Sequence, residues 1–280
     1  GIDAAIGDDR SNLDPGTAEV NLFWYRAVTL IWPFAQAALL IWLLASVPGA
    51  QNLFFAEKLG IFFGMGVLSG TVGINYAHEL MHRRARFDRW LADFLLAMVL
   101  YSHFRSEHLL VHHRHVATPR DAVTARYGEG FYRFFARVLP ACLGSAWAAE
   151  REMLGRVGQA AWHPTNPFWR DGLLQAACLA VAYFVGGHVG LVLFLFQAFI
   201  AIWQLELVNY VEHYGLQRRP TASGRYEPVG RHHSCNANRG ASNRLLINLQ
   251  RLSDQHYKPA RPFQLLQSGE PVTTAQLPYG

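Results

Sequence analysis

Four long apolar runs limit what this chain can fold into. Residues Ala27 to Val47 carry no charged side chain and end at Pro48-Gly49. About 20 such residues are enough for a helix to cross a bilayer. A second run, Leu59 to Ala77, follows a short loop holding Glu57 and Lys58. Leu173 to Gly187 and Leu191 to Val211 follow later, separated by a Gly-rich turn around His188. That pair reads as a membrane hairpin. The second run contains Gly60, Gly64, Gly66, Gly70 and Gly73. Glycines at that density weaken a soluble helix, whereas in a membrane bundle small residues let neighbours approach closely.

Composition agrees with the runs. The chain is 51% hydrophobic and 16% charged, well below the roughly 25% charged residues of soluble domains. Its eight Trp and eleven Tyr suit membrane–water boundaries. Trp90 to Phe104 is apolar but short for a span and contains Asp93, so it reads as a helix lying in the interface or packed under the bundle, with a re-entrant segment as the alternative. The expected fold is all-α: an integral membrane bundle of about four transmembrane helices plus interfacial helices, in one domain over residues 1–280.

Charge gives the bundle a direction. Arginine is dense from Arg83 to Arg170 and again from Arg218 to Arg261, while the loop Pro48 to Lys58 and the hairpin turn contain none. Cytoplasmic loops carry the excess of Arg and Lys, so both Arg-rich stretches are expected in the cytosol of a bacterial inner membrane protein. The net charge of +5 then follows from topology, and a nucleic-acid partner is not needed to explain it. Cys142, Cys178 and Cys235 are odd in number and unpatterned, implying neither a disulfide framework nor a Cys-x-x-Cys metal site.

The thirteen histidines collect where the spans end. His78 and His82 stand four apart in HELMH, placing both rings on one helix face a turn apart. His108 and His112 repeat the spacing in EHLLVHH, with His113 turned about 100° away on an α-helix and so free to reach a second metal. His213 closes the last span in NYVEHYG, and His256 lies in the tail. By the charge argument all of them face the cytosol. Imidazole suits iron, zinc, copper or nickel, and seven neutral His exceed the ligand capacity of one tetrahedral zinc. HELMH is also the zinc-protease pattern, with Glu79 as general base, but that reading leaves His108, His112, His113 and His213 without a role. His163 and His188 read as ordinary hydrogen-bonded residues. His103, His115, His232 and His233 read as partners that orient ligands or as solvated side chains.

The motifs HELMHRR, EHLLVHHRHVATPRDAVTAR, NYVEHYGL and LQRLSDQHYKPARPFQLL resemble the histidine boxes of bacterial alkane 1-monooxygenases and xylene monooxygenases, within the membrane fatty-acid desaturase superfamily. The resemblance runs from about Asp8 to the C-terminus. It implies an integral-membrane enzyme with two non-haem irons and O₂ as co-substrate. Such an enzyme hydroxylates the terminal methyl of an alkane or similar apolar chain with electrons from rubredoxin or a ferredoxin. The matching ligand and catalytic positions are His78, His82, His108, His112, His113, His213 and His256. Members of that family carry another membrane hairpin before the region that begins at Gly1, so this chain is expected to lack it, either as a cut end or as a short variant.

One motif departs from the pattern. The fourth box of that family reads LQRHSDHH, and here its histidine positions hold Leu252, Gln255 and His256. Leu252 cannot coordinate and Gln255 offers only a carbonyl oxygen, a harder donor than imidazole. Seven of nine expected ligands remain, so at least one iron is expected to bind less tightly. The alternative is a non-catalytic relative with an incomplete site. A cavity between the spans is expected to guide the hydrocarbon, lined by Phe62, Phe63, Met65, Phe194, Phe199 and Trp203. Glu206, a carboxylate at membrane depth, is expected to face the interior near His213.

Overall fold

In the computed structural model of the chain, residues 2–9, 11–14, 16–17, 22–259, 261–268 and 275–276 are described. Their helices are α1 (Ile2–Ile6), α2 (Phe23–Ser46), α3 (Phe55–Met81), α4 (Arg86–Met98), α5 (residues 104–115), α6 (Phe131–Arg156), α7 (Pro167–His213), α8 (Gly240–Leu245) and α9 (Leu252–Tyr257). Strands β1 (Cys235–Asn236) and β2 (Ala275–Gln276) pair in parallel. The expected all-α architecture is present. The chain divides into two compact units, one of residues 27–106 and 145–205, the other of residues 1–26, 107–144 and 206–280.

In the first unit, α2, α3 and α7 are each long and apolar enough to cross a membrane. Helix α7 has 47 residues and would be about 70 Å long if straight, more than twice the roughly 30 Å hydrocarbon core. It is not straight. Gly187 sits at φ 64°, ψ −161°, a conformation open to glycine alone, and the chain folds back there. A Cβ placed on Gly190 would stand 2.9 Å from the Ala182 carbonyl, a contact only a hairpin makes. Three helices therefore supply the four expected crossings.

Small residues set the packing, as the glycine count suggested. A Cβ at Gly66 would lie 2.7 Å from Ile200 Cβ and 2.8 Å from the Gln197 carbonyl, while Gly60 and Gly64 have open space around them. The close approach is thus made at some glycines of α3 and not at others, toward α7 at Gly66 and Gly70 and toward Gln36 of α2 at Gly73. Within α3, residues Ser69–Ile74 wind as a π-helix, so the span is longer than the expected Leu59–Ala77 and carries His78 inside the same helix. Gln36 of α2 is buried; it accepts from Trp32 Nε1 at 2.8 Å and donates to Ser69 Oγ at 3.4 Å. Gln204 donates to Thr71 Oγ1 at 2.6 Å. Hydrogen bonds of this kind offset part of the cost of placing amides at membrane depth.

The segment expected as one helix from Trp90 to Phe104 is two. α4 starts earlier and stops at Met98, and Leu100 takes a left-handed turn at φ 56°. Asp93 is buried and answers the question its presence raised: Arg105 reaches it at 2.6 Å and Arg170 at 2.9 Å. A buried carboxylate needs such partners.

The second unit has its own apolar core of Val123, Ala125, Phe134, Val138 and Cys142, against which Tyr210 packs. Tyr210 Oη donates to the Glu129 carbonyl at 2.7 Å. The tail closes around two charged residues of the fourth motif. Arg251, 2% exposed, donates to the carbonyls of Leu266 at 2.7 Å and Ser11 at 2.8 Å. Asp254 takes Arg231 at 2.8 Å, Arg261, and the backbone N–H of Gln267 at 3.0 Å. These bonds fix α9 and hence the direction of Gln255 and His256.

Candidate metal centre

Residues 108–112 of α5 form a π-turn, with the His113 N–H donating to the His108 carbonyl. A π-turn has more residues per turn than an α-turn, so His108 is followed on its face by both His112 and His113. The ring centroids show this: 5.2 Å from His108 to His112 and 4.5 Å from His108 to His113. The expected 100° divergence of His113 is therefore modified. It stays beside His108 while remaining 5.9 Å from His112.

In the same unit, His213 at the end of α7 and His256 on α9 join His112. The three are buried, and one ligand atom from each lies within 4.8 Å of the others. Nε2 of His112 and Nε2 of His256 are 3.1 Å apart. Their outer nitrogens are tied down. Asp121 Oδ2 lies 3.0 Å from His112 Nδ1, and Ser234 Oγ lies 2.5 Å from His256 Nδ1. A carboxylate only accepts, so Nδ1 of His112 carries the proton and Nε2 keeps its lone pair for the centre.

Electrostatics favour a cation there. Burial raises the Asp121 carboxyl, the hydrogen bonds from His112 and Thr124 lower it, and the net effect is a lowered pKa. Glu107 is fully buried, and neither of its oxygens has a hydrogen-bond partner among the described residues. Burial, then the carboxylates of Asp121 and Glu206, push its pKa well above the usual range. Nδ1 of His213 is likewise buried without a hydrogen-bond partner among the described residues. Lone-pair nitrogens converging beside three buried carboxylates fit a bound transition metal, whose charge would reverse the sign at Glu107.

The other expected positions are placed as follows. In the first unit, His78 and His82 share one face, with ring centroids 4.9 Å apart, as their spacing requires. Glu79 is paired with Arg83 at 2.6 Å. In the second unit Gln255 Nε2 lies 3.4 Å from His113 Nε2, and Leu252 is buried without a donor atom to offer. Glu206 is buried and accepts from Asn209 at 3.1 Å. His163 bonds Thr165 at 2.9 Å, the ordinary role expected, and the ring of His188 lies against that of Tyr183. His233 is buried and bonded to Glu227 at 3.1 Å, while His232 is exposed. His103 is pushed down to about 4 by burial. The sequence reading missed Asp121 and Ser234 as partners of the histidines, and Glu107 as a buried carboxylate of the same unit.

A cavity of about 160 Å³ does lie among the spans, with an apolar wall that includes Leu40, Leu44, Phe94, Met98, Val181 and Phe194. Of the six lining residues expected, Phe194 alone belongs to it. Phe62 and Met65 are packed in the interior, and Phe63 and Phe199 are half exposed on the outside of the unit.

A spanning helix, α7, that ends in a buried group of three histidines defines a class: membrane proteins with an imidazole-rich metal centre. Residues 50–280 match the family model for fatty acid desaturases. Alkane 1-monooxygenase of Pseudomonas putida is 37% identical over 95% of this chain and 66% of its own length. Alkane 1-monooxygenase 1 of Alcanivorax borkumensis is 37% identical over 100% of this chain and 69% of its own. A xylene/toluene monooxygenase hydroxylase component of Pseudomonas putida is 34% identical over 64% of this chain and 47% of its own. The chain belongs to the membrane fatty acid desaturase family, among the relatives of the alkane 1-monooxygenases. It spans about two thirds of the length of those relatives.

Proposed function

We propose that the chain is the catalytic part of a non-haem di-iron monooxygenase of the bacterial inner membrane. It hydroxylates the terminal methyl of alkanes or similar apolar chains: R–CH₃, O₂, two electrons and two protons give R–CH₂OH and water. The electrons come from rubredoxin or a ferredoxin. His78, His82, His108, His112, His113, His213 and His256 are the proposed ligands, on the cytosolic side. Two irons, when bound, supply the redox chemistry that reductively activates oxygen. The protein's share is to fix each imidazole tautomer, as Asp121 does for His112, and to exclude bulk water through burial. It also offers an apolar path within the membrane to a substrate that already partitions there.

The buried His112–His213–His256 group, with Asp121 fixing its tautomer, is the observation that carries this reading. The names of the relatives support the substrate class. A zinc-protease reading of HELMH fares less well, because the base it requires, Glu79, is engaged by Arg83.

The test is to purify the full chain in detergent, load it with excess ferrous iron and measure metal per chain and alkane-dependent oxygen use with a rubredoxin system. Two irons and oxygen use that rises with alkane are expected. A single tightly held zinc, or iron without any alkane response, would overturn the proposal.

A further inference from the structure

Gln255 replaces an expected histidine, and its surroundings say what it does instead. Neighbouring helical residues point about 100° apart. Gln255 and His256 on α9 therefore face different places, as do His112 and His113 on α5. The two pairs match one to one. His256 meets His112, Nε2 to Nε2, at 3.1 Å, and Gln255 meets His113 through its amide at 3.4 Å. The first match is completed by the buried imidazole of His213, and beside the second stands the buried His108, its ring centroid 4.5 Å from that of His113. We propose that Gln255 is an amide-oxygen ligand at a second metal position beside His113. The chain would then hold one all-imidazole metal and one mixed imidazole–amide metal of unequal affinity. The inference rests on reading the histidine cluster as a metal centre.

The geometry suits the role. Amide oxygen and nitrogen are interchangeable by a flip of the side chain, and the flipped Gln255 turns Oε1 toward His113. Two donors about 2.0–2.2 Å from one ion stand roughly 3–3.5 Å apart, which is the spacing seen. Gln255 is 4% exposed, so solvent does not displace it readily. Leu252, also buried, lies one turn earlier on the same helix and contributes no donor, so nothing there restores the lost imidazole. A neutral amide oxygen is harder and binds a divalent transition metal more weakly than imidazole nitrogen. The shortage therefore falls on the His113 position and spares the His112 position.

The experiment uses the full chain in detergent, stripped with a chelator and titrated anaerobically with ferrous iron. Iron retained after desalting gives stoichiometry and affinity, and the Mössbauer spectrum separates the two environments. The wild type is expected to bind two equivalents, the second roughly tenfold or more weaker, a change as large as disturbing an outer partner of a ligand produces. Gln255→His is expected to strengthen the second equivalent by at least about tenfold and leave the first alone. Gln255→Leu is expected to lose the second and keep the first, which also shows that the variant is folded. Two unchanged equivalents in Gln255→Leu, or a single iron environment in the wild type, would overturn the assignment of Gln255. Failure of the wild type to retain any iron would sink the metal-centre reading along with it.

Discussion

Asp121 supports the histidine group from outside it through His112. It is fully buried and accepts from His112 Nδ1 at 3.0 Å, from Thr124 Oγ1 at 2.7 Å and from the Val123 N–H at 3.1 Å. Two of these bonds hold the carboxylate still, and the third sets which nitrogen of His112 is bare. Asn at this position keeps the shape and one acceptor but removes the charge. We expect Asp121→Asn to weaken metal binding at the His112–His213–His256 group by about ten- to a hundredfold, read by equilibrium dialysis against a chelator of known affinity. Unchanged affinity would mean that the His112 tautomer is set by something else. At this scale the sequence was half legible. Histidines announce themselves by type and spacing, so His112, His213 and His256 were found. Asp121 lies in a loop nine residues past His112, and Ser234 lies 22 residues before His256. No periodicity links a loop residue to the ring it supports, because the link is made by tertiary folding.

The elements show the same division. Apolar length is a property of composition, so the spans and the fold-back at Gly187 could be read from residues alone. The π-windings could not. One extra residue in a turn leaves no compositional trace, and which carbonyl a backbone N–H selects depends on neighbours such as Gln36 and Gln204. Nor did the sequence say which glycines of α3 matter. Gly66 faces Ile200 and Gln197 at sub-contact distance for an added Cβ, whereas Gly64 faces open space. Gly66→Ala is therefore expected to destabilise the bundle by about 1–3 kcal/mol through overpacking. Gly64→Ala should be neutral or stabilising by up to about 1 kcal/mol, since alanine restricts the unfolded backbone. Reversible unfolding in mixed micelles measures both. Equal effects would show that the helix contact is not as close as described.

For the whole molecule, topology is the property on which the proposed function depends, because the proposed cytosolic electron donor needs the histidines on its side. Two independent features bear on it. In the proposed orientation, arginine density puts the stretches after α3 and after α7 on the cytosolic side, and the fold-back at Gly187 returns the chain to the side from which α7 started. Labelling separates the two. Gln51 and His188 are exposed in Arg-free turns, and Arg84 and Arg219 are exposed in the Arg-rich stretches. With Cys142, Cys178 and Cys235 replaced, a single cysteine is introduced at each of the four positions in whole cells. A membrane-impermeant maleimide that has passed the outer membrane should label Gln51→Cys and His188→Cys directly. Arg84→Cys and Arg219→Cys should react only after the inner membrane is opened. Labelling at Arg84 but not Arg219 would break the hairpin, since α7 would then cross once. Labelling at both without opening would invert the protein and remove its histidines from any cytosolic donor. The expected pattern needs both features to hold at once, so either error is visible by itself.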